Sequence, residues 1–467
     1  GEPSAQRLAK RPPSSVKQLK QYIDANRQRF IDELVDYLRF PSVSAQSVHK
    51  KDMTNCARWL AAHAKALGLK SRVHRTSGHP IVTATTPRTR NSAKPHFLVY
   101  GHYDVQPPEP LELWDSPPFE PTLRGRNLYA RGASDNKGQH FAHLKAVEAY
   151  LKTGTELPCD LTFVVEGEEE VGGEALVKFL KQNKREFKCN GIVVSDTGMP
   201  DLKHPALTYA LRGVAALEVR LDGPDRDLHS GIYGGSVENP AMALSQLLGG
   251  MIDKNGRITV PGFYNDVVKL TAYERRQLAR VPYSDARCRK LLGVKSLFGE
   301  KGFTANEQRG ARPTFEINGL SSGYQGEGSK TIVPSSASAK ITMRLVPKQD
   351  AAKILRLVAR HLRALCPPTM RITVELGHVA DPYGVSPTGP LAKAALESLK
   401  AAFGHEPVLL REGGSIPIVE HFARILKVDT YLLGLALPDD NLHSPNEKID
   451  LEACTRGSWM SANLWTN

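Results

Sequence analysis

The stretch His96-Phe97-Leu98-Val99-Tyr100-Gly101-His102-Tyr103-Asp104 runs from apolar residues straight into an imidazole and a carboxylate. A short continuous apolar run of this kind reads as a strand buried on both faces. The pattern recurs twice. Leu161 to Val165 runs into the acids Glu166 and Glu168 to Glu170, and Ile192 to Val194 runs into Ser195-Asp196. Helical spacing over Lys137–Leu151 and Ala175–Gln182 separates the runs. Strands alternating with helices predict an α/β fold: a mixed, mostly parallel sheet covered by helices on both faces. Open α/β sheets bind ligands beyond the carboxyl ends of their strands. His102, Asp104, the Glu168–Glu170 run and Asp196 all stand at such ends, so they mark a candidate site.

Working outward, Val16 to Leu38 carries apolar residues at near-helical spacing and stops before Pro41, and Cys56 to Leu67 reads as a second helix with Gly68 placed to cap it. Residues 1–15 are polar and basic, with Pro12 and Pro13, and read as a disordered arm. Past Arg212 the texture changes. Val214–Leu221 and Ala337–Leu345 alternate like half-buried strands, while Asn239–Met251 and Ala351–Leu365 read as helices. Arg371–Leu376 reads as a strand, and Arg257–Asn318 is rich in polar and charged residues. The expected organisation is a catalytic domain over 16–212 and 378–467, interrupted by an inserted α+β domain over 213–377. The α/β texture resumes with a helix at Leu391–Phe403.

Composition narrows the function. A chain of 467 residues with 40% hydrophobic and 24% charged residues is too long for one ordinary core and has the balance of a soluble globular protein. No apolar run approaches the roughly 18–20 residues that span a bilayer, so no membrane partner is expected. The net charge of +13 is spread along the chain with few interleaved aromatics, which reads as a solvated basic surface and predicts no nucleic-acid partner. Six cysteines without a CxxC pair suggest reduced thiols and a cytoplasmic protein, and argue against a zinc site built on cysteine.

Two further groups join the strand-end residues. Asp135 lies in Gly132-Ala133-Ser134-Asp135-Asn136-Lys137-Gly138 just before a helix, and His443 lies in the polar turn Asn441-Leu442-His443-Ser444-Pro445-Asn446-Glu447. Each signal has an ordinary alternative. His102 and Asp104 could be a satisfied core pair, and Glu168–Glu170 a solvated charge run. Asp135 could cap its helix, and His443 could be a plain turn residue. Together, imidazoles and carboxylates suit Zn, Mn or Co. Five such groups can hold two ions if one carboxylate is shared, and two ions roughly 3.5–4 Å apart can activate one water between them.

The order of these motifs resembles the M20 family of metallopeptidases, and within it the carnosinase-like dipeptidases. The resemblance rests on Gly101-His102-Tyr103-Asp104-Val105-Gln106-Pro107, Arg131 to Gly138, Glu166 to Gly172, Val194-Ser195-Asp196 and His443 to Glu447, and extends from about residue 16 to the end. It implies a zinc-exopeptidase-like fold with an inserted lid and dimerisation domain. It also implies two divalent ions, Zn first and Mn or Co as alternatives. His102, Asp135 and Asp196 would hold one ion; Asp135, Glu170 and His443 would hold the other. Asp104 would orient His102, Glu169 would act as general base, and the Asp135–Asn136 peptide would be cis. His229, in Leu228-His229-Ser230-Gly231, would reach the partner subunit's site and stabilise an oxyanion. Arg344 would grip the substrate carboxylate, with Thr331, Glu412 and Ser415 as further substrate contacts. The implied activity is cleavage of dipeptides or short peptides with a free C-terminal carboxylate, through a hydroxide shared by the two ions, in a homodimer formed through the inserted domain. Val214–Leu221 is the expected edge strand for that pairing. The alternatives are an N-acyl-amino-acid deacylase or desuccinylase with the same metal site, or a non-catalytic binding protein on this fold.

Overall fold

The computed structural model describes residues 13–88 and 91–467. The chain forms two compact units. One runs to Tyr209 and includes Val385–Leu409 and His421–Asn467; the other comprises Ala210–Gly384 and Leu410–Glu420. The basic arm expected over 1–15 lies outside the described residues up to residue 12, and Pro13 opens a helix that runs to Ala25.

In the first unit seven strands lie in the order Lys70–His74, Ile81–Thr85, Asp160–Glu166, His96–His102, Gly191–Val194, Thr430–Gly434, Ala206–Leu211. The central pairings are parallel: His96–His102 pairs with Asp160–Glu166 and with Gly191–Val194, which pairs with Thr430–Gly434. The flanking pairings are antiparallel. The central strands are apolar throughout because helices cover them. Gly138–Thr153 is buried along most of its length and packs against Leu451–Leu464, and Lys50–Ala66 packs on the first two strands. Register then determines the site. His102 stands opposite Glu166, and Tyr100 stands opposite Val194, so Asp196, two residues on, emerges at the same end as His102.

The expected Val16–Leu38 helix is two helices, Pro13–Ala25 and Arg27–Leu38. The break is at Asn26, whose backbone leaves helical geometry (φ −104°, ψ 11°) while its side-chain amide donates to the Tyr22 carbonyl at 2.8 Å. Buried residues on both sides keep the apolar spacing running through the break, which is why it does not show in the periodicity.

The second unit is built on a four-stranded antiparallel sheet in the order Glu316–Ser322, Ser336–Leu345, Gly213–Asp222, Arg371–Ala380. Helices Pro240–Gly249 and Ala351–Ala364 cover one face, where Leu217, Val219, Ile341 and Met343 pack with Leu244, Ile354, Leu355 and Val358. One expectation is corrected: Val214–Leu221 is not an edge strand. Its alternation reports one covered face, and hydrogen bonding occupies both its sides. The open edges are Glu316–Ser322 and Arg371–Ala380. The unit is wider than 213–377. It takes in Leu410–Glu420, where the Arg411 guanidinium donates to the Gly310 carbonyl at 3.1 Å and the Glu412 carbonyl accepts the Arg212 N–H at 3.1 Å. The polar segment 257–318 holds three short helices, Ala272–Ala279, Asp285–Leu292 and Ala305–Ala311, and the first and third start with a Thr/Glu capping box.

Candidate metal centre

Seven of the expected residues gather at the carboxyl end of the central strands: His102, Asp104, Asp135, Glu169, Glu170, Asp196 and His443. Asp135 lies between the two imidazoles. Its Oδ1 is 3.1 Å from His102 Nε2, and its Oδ2 is 2.8 Å from His443 Nε2. Asp196 Oδ2 and Glu169 Oε2 lie on the His102 side, 3.4 Å and 3.6 Å from Nε2. Glu170 Oε2 lies on the other side, 3.5 Å from His443 Nε2. Ligand-type atoms of His102, Asp135 and Glu170, and of His102, Glu169 and Asp196, fall within 4.8 Å of one another. The peptide between Asp135 and Asn136 is cis, as the resemblance implies.

These residues fit a pair of cations. His102 Nε2 and Glu170 Oε1 are buried and, among the described residues, make no hydrogen bond, although Nε2 faces three carboxylates at ion-pair distance. Its other ring nitrogen, Nδ1, is held by the Asp104 carbonyl at 2.9 Å with Oδ1 at 3.2 Å. The ring is therefore fixed with Nε2 aimed at the acids, the arrangement of a ligating histidine.

The electrostatics point the same way. Burial, partly offset by His102 and reinforced by neighbouring carboxylates, pushes Glu169 and Asp196 up to about 7. Burial also brings Glu170 to about 7 against its contact with His443. Burial opposes ionisation of Asp135, but contacts with His102 and His443 hold it well below the usual carboxylate range. Contact with Asp135 and Glu170 raises His443 to about 10. Four acids, Asp135, Glu169, Glu170 and Asp196, crowd one largely buried cluster in which full ionisation is unfavourable without positive charge, and divalent ions supply such charge.

The remaining expected residues lie in the second unit. His229 is exposed, and its Nδ1 accepts the Gly231 N–H at 3.0 Å, which leaves the ring proton on Nε2 in the neutral form. Strand Leu228–His229 pairs with Ile332–Val333, and the Thr331 carbonyl accepts the Ser230 N–H at 3.0 Å, so Thr331 lies close to His229. Arg344, on strand Ser336–Leu345, has Nη1 3.5 Å from Ser415 Oγ, and the Ser415 hydroxyl donates to the Arg212 carbonyl. Glu412 ends the strand Val408–Glu412 just before that serine, and burial raises its carboxyl despite the nearby Arg309.

Residues 98–467 match the model of peptidase family M20/M25/M40. The chain belongs to this family. It is 29% identical to the Cys-Gly metallodipeptidase of Schizosaccharomyces pombe over 95% of this chain and 96% of that one. It is 30% identical to the human Beta-Ala-His dipeptidase over 94% of this chain and 90% of that one. Among solved structures, an M20 family metallo-carboxypeptidase from Sulfolobus solfataricus superposes with a TM-score of 0.76 at 31% identity, covering 94% of this chain and 98% of the other. Within the family the chain falls with the carnosinase-like dipeptidases, and the deacylase alternative is not favoured.

The structure also brings in residues to which the sequence reading gave no role. Asn136, next to Asp135 in this M20 chain, joins two strand ends. Its Oδ1 accepts the His102 N–H at 3.1 Å and its amide donates to the Ser195 carbonyl at 2.6 Å. Glu447 closes the His443 motif: its carboxylate accepts the N–H groups of Ser134 and Asp135, both at 3.0 Å, and the Arg131 guanidinium at 2.9 Å. Gln106 donates to Glu170 Oε2 at 2.6 Å. Asp104 does more than orient His102. Its two oxygens accept the N–H groups of Glu169 and Glu170 at 3.2 and 3.0 Å, and the Ser44 hydroxyl reaches Oδ2 at 2.6 Å. These contacts hold Glu169 and Glu170 against the two imidazoles. Glu168 instead accepts the His79 N–H at 2.7 Å.

Proposed function

We propose that this chain is a metal-dependent dipeptidase in which His102, Asp135 and Asp196 hold one divalent ion and Asp135, Glu170 and His443 hold a second. The observation that carries this reading is the two-sided placement of Asp135, one oxygen toward each imidazole. When bound, two such ions acidify a water and polarise the scissile carbonyl. Glu169, in the same cluster but not needed as a ligand, accepts the water's proton on its carboxylate. It then delivers that proton to the leaving amine nitrogen. Asp104 holds His102 and the Glu169–Glu170 turn in one arrangement through the same carboxylate.

Arg344 grips the terminal carboxylate of the substrate, a task suited to a planar guanidinium, with Thr331, Ser415 and Glu412 lining the rest of the peptide. His229 supplies an Nε2–H donor to the developing oxyanion across a homodimer interface formed by the second unit. One open sheet edge of that unit, Arg371–Ala380, exposes Leu376 and Val379 and is a candidate pairing surface. Zn is the first candidate ion, with Mn and Co accepted by the same donor set. A cytoplasmic setting fits six cysteines that are all free thiols. No helix among the described residues is long and apolar enough to cross a membrane.

The test is metal analysis of purified protein coupled to hydrolysis of Cys-Gly and β-Ala-His, before and after chelation, beside N-acetyl and N-succinyl amino acids. Dipeptide turnover that disappears on chelation and returns with metal supports the reading. Turnover of the acylated amino acids alone overturns it.

A further inference from the structure

The second unit contains an open cavity of about 530 Å³ that the peptidase site does not use. Five cations line it: Arg257, Lys269, Arg275, Lys301 and Arg312. Glu300 is the acid in its lining, and it is engaged. Arg312, nearly buried, makes a two-pronged pair with it at 2.7 Å on each side, and Arg257 approaches the same carboxylate at 3.5 Å. Arg275 pairs with Glu307 at 3.4 Å. Three guanidiniums thus share two carboxylates. Among the described residues neither Lys269 nor Lys301 has an ion-pair partner, and both are exposed.

The walls are held in place. The Lys301 N–H donates to the Asn255 carbonyl at 2.8 Å, and the Asp253 side chain accepts the N–H groups of Asn255 and Arg257 at 2.8 and 3.0 Å. At Gly256 (φ +76°) a Cβ would fall 2.2 Å from the Gly299 carbonyl oxygen, so only glycine lets the two loops meet. Beneath them Phe303 carries the Arg275 and Arg312 guanidiniums over its ring at 4.9 and 4.4 Å, and Tyr264 carries Arg257 at 4.0 Å. The three guanidiniums are therefore oriented by aromatic faces, and the loops that carry Arg257 and Lys301 are held by backbone hydrogen bonds.

We propose that this cavity binds a small phosphate-bearing anion. Excess positive charge from several elements favours a ligand with at least two negative charges over a monocarboxylate. Guanidinium forks and lysine point charges both suit phosphate oxygens. The volume lies within the roughly 300–1,000 Å³ of small-molecule sites. Free phosphate and a phosphate monoester share this chemistry.

The test is calorimetric titration of the metal-loaded enzyme with inorganic phosphate and, separately, with AMP. Wild type is compared with the double variant Lys269→Glu/Lys301→Glu, and dipeptidase activity is followed in parallel. The expected result is binding to wild type that weakens tenfold or more in the variant while basal activity is kept. Equal affinity for both probes assigns free phosphate, and tighter AMP binding assigns the ester. Affinity unchanged by the variant would place the anion at the metal centre and overturn the proposal, as would no binding of either probe. A double-stranded oligonucleotide that competes for the site and binds more tightly than either probe would also overturn it.

Discussion

Glu447 Oε2 accepts the backbone N–H of Asp135 at 3.0 Å, across 312 residues of sequence. The same carboxylate holds Ser134 N–H and the fully buried Arg131, so one side chain ties the loop that presents Asp135 to the turn that presents His443. Glu447→Gln keeps the shape but weakens the charge-assisted bonds. We expect metal affinity and activity to fall about 10–100-fold, as for other groups that support metal ligands. Glu447→Ala leaves the Arg131 charge buried and unpaired, and should cost about 3–5 kcal/mol in denaturant unfolding.

Asp104 serves two elements at once, so Asp104→Asn removes an acceptor from either the Glu169–Glu170 turn or the His102 ring. The fold should survive, because the strands are set by apolar burial. Metal affinity measured by competition with a chromogenic chelator should drop about 10–100-fold. Unchanged affinity would reduce Asp104 to a buried polar residue without influence on the site.

Glu169→Gln separates holding metal from moving a proton. The variant should retain the metal content of the parent and lose about 10²–10⁴-fold in kcat. Loss of metal instead would make Glu169 a ligand, in keeping with its place near His102 and Asp196.

Burial of His143 makes stability depend on pH. Its ring is fully buried between the hydroxyls of Ser461 and Ser195, each 2.7 Å away, and burial lowers its pKa to about 4. An unfolded histidine titrates near 6.5. Between those values the unfolded chain binds a proton that the folded chain refuses, so stability rises with pH. This contribution is complete above about pH 6.5 and is lost as pH falls toward 4, roughly 3 kcal/mol in total. A urea-unfolding series across that window should show the loss, and His143→Gln should flatten the slope. An equal slope in the variant would refute the assignment.

The sequence displays what burial dictates. The three apolar runs ending in His102, the acid run and Asp196 are legible because a strand covered on both faces must be apolar throughout, and its end is where polarity returns. The supporting contacts are not legible in the same way. Asn136 and Glu447 act on backbone groups 34 to 313 residues away in sequence, which become neighbours only in the fold, and no periodicity marks them. Val214–Leu221 shows the limit of alternation: it reports which face is covered but not whether the strand's sides are paired. The short helices over 257–318 had a readable signal in Thr271-x-x-Glu274 and Thr304-x-x-Glu307, but each is too brief to build a periodic apolar face.

The most direct test of the account is metal stoichiometry per chain, by mass spectrometry of desalted protein, for wild type and Asp135→Asn. Wild type should carry two divalent ions and the variant fewer than one, because both ions depend on that carboxylate. Two ions retained by Asp135→Asn, or a single ion in fully active wild type, would contradict it.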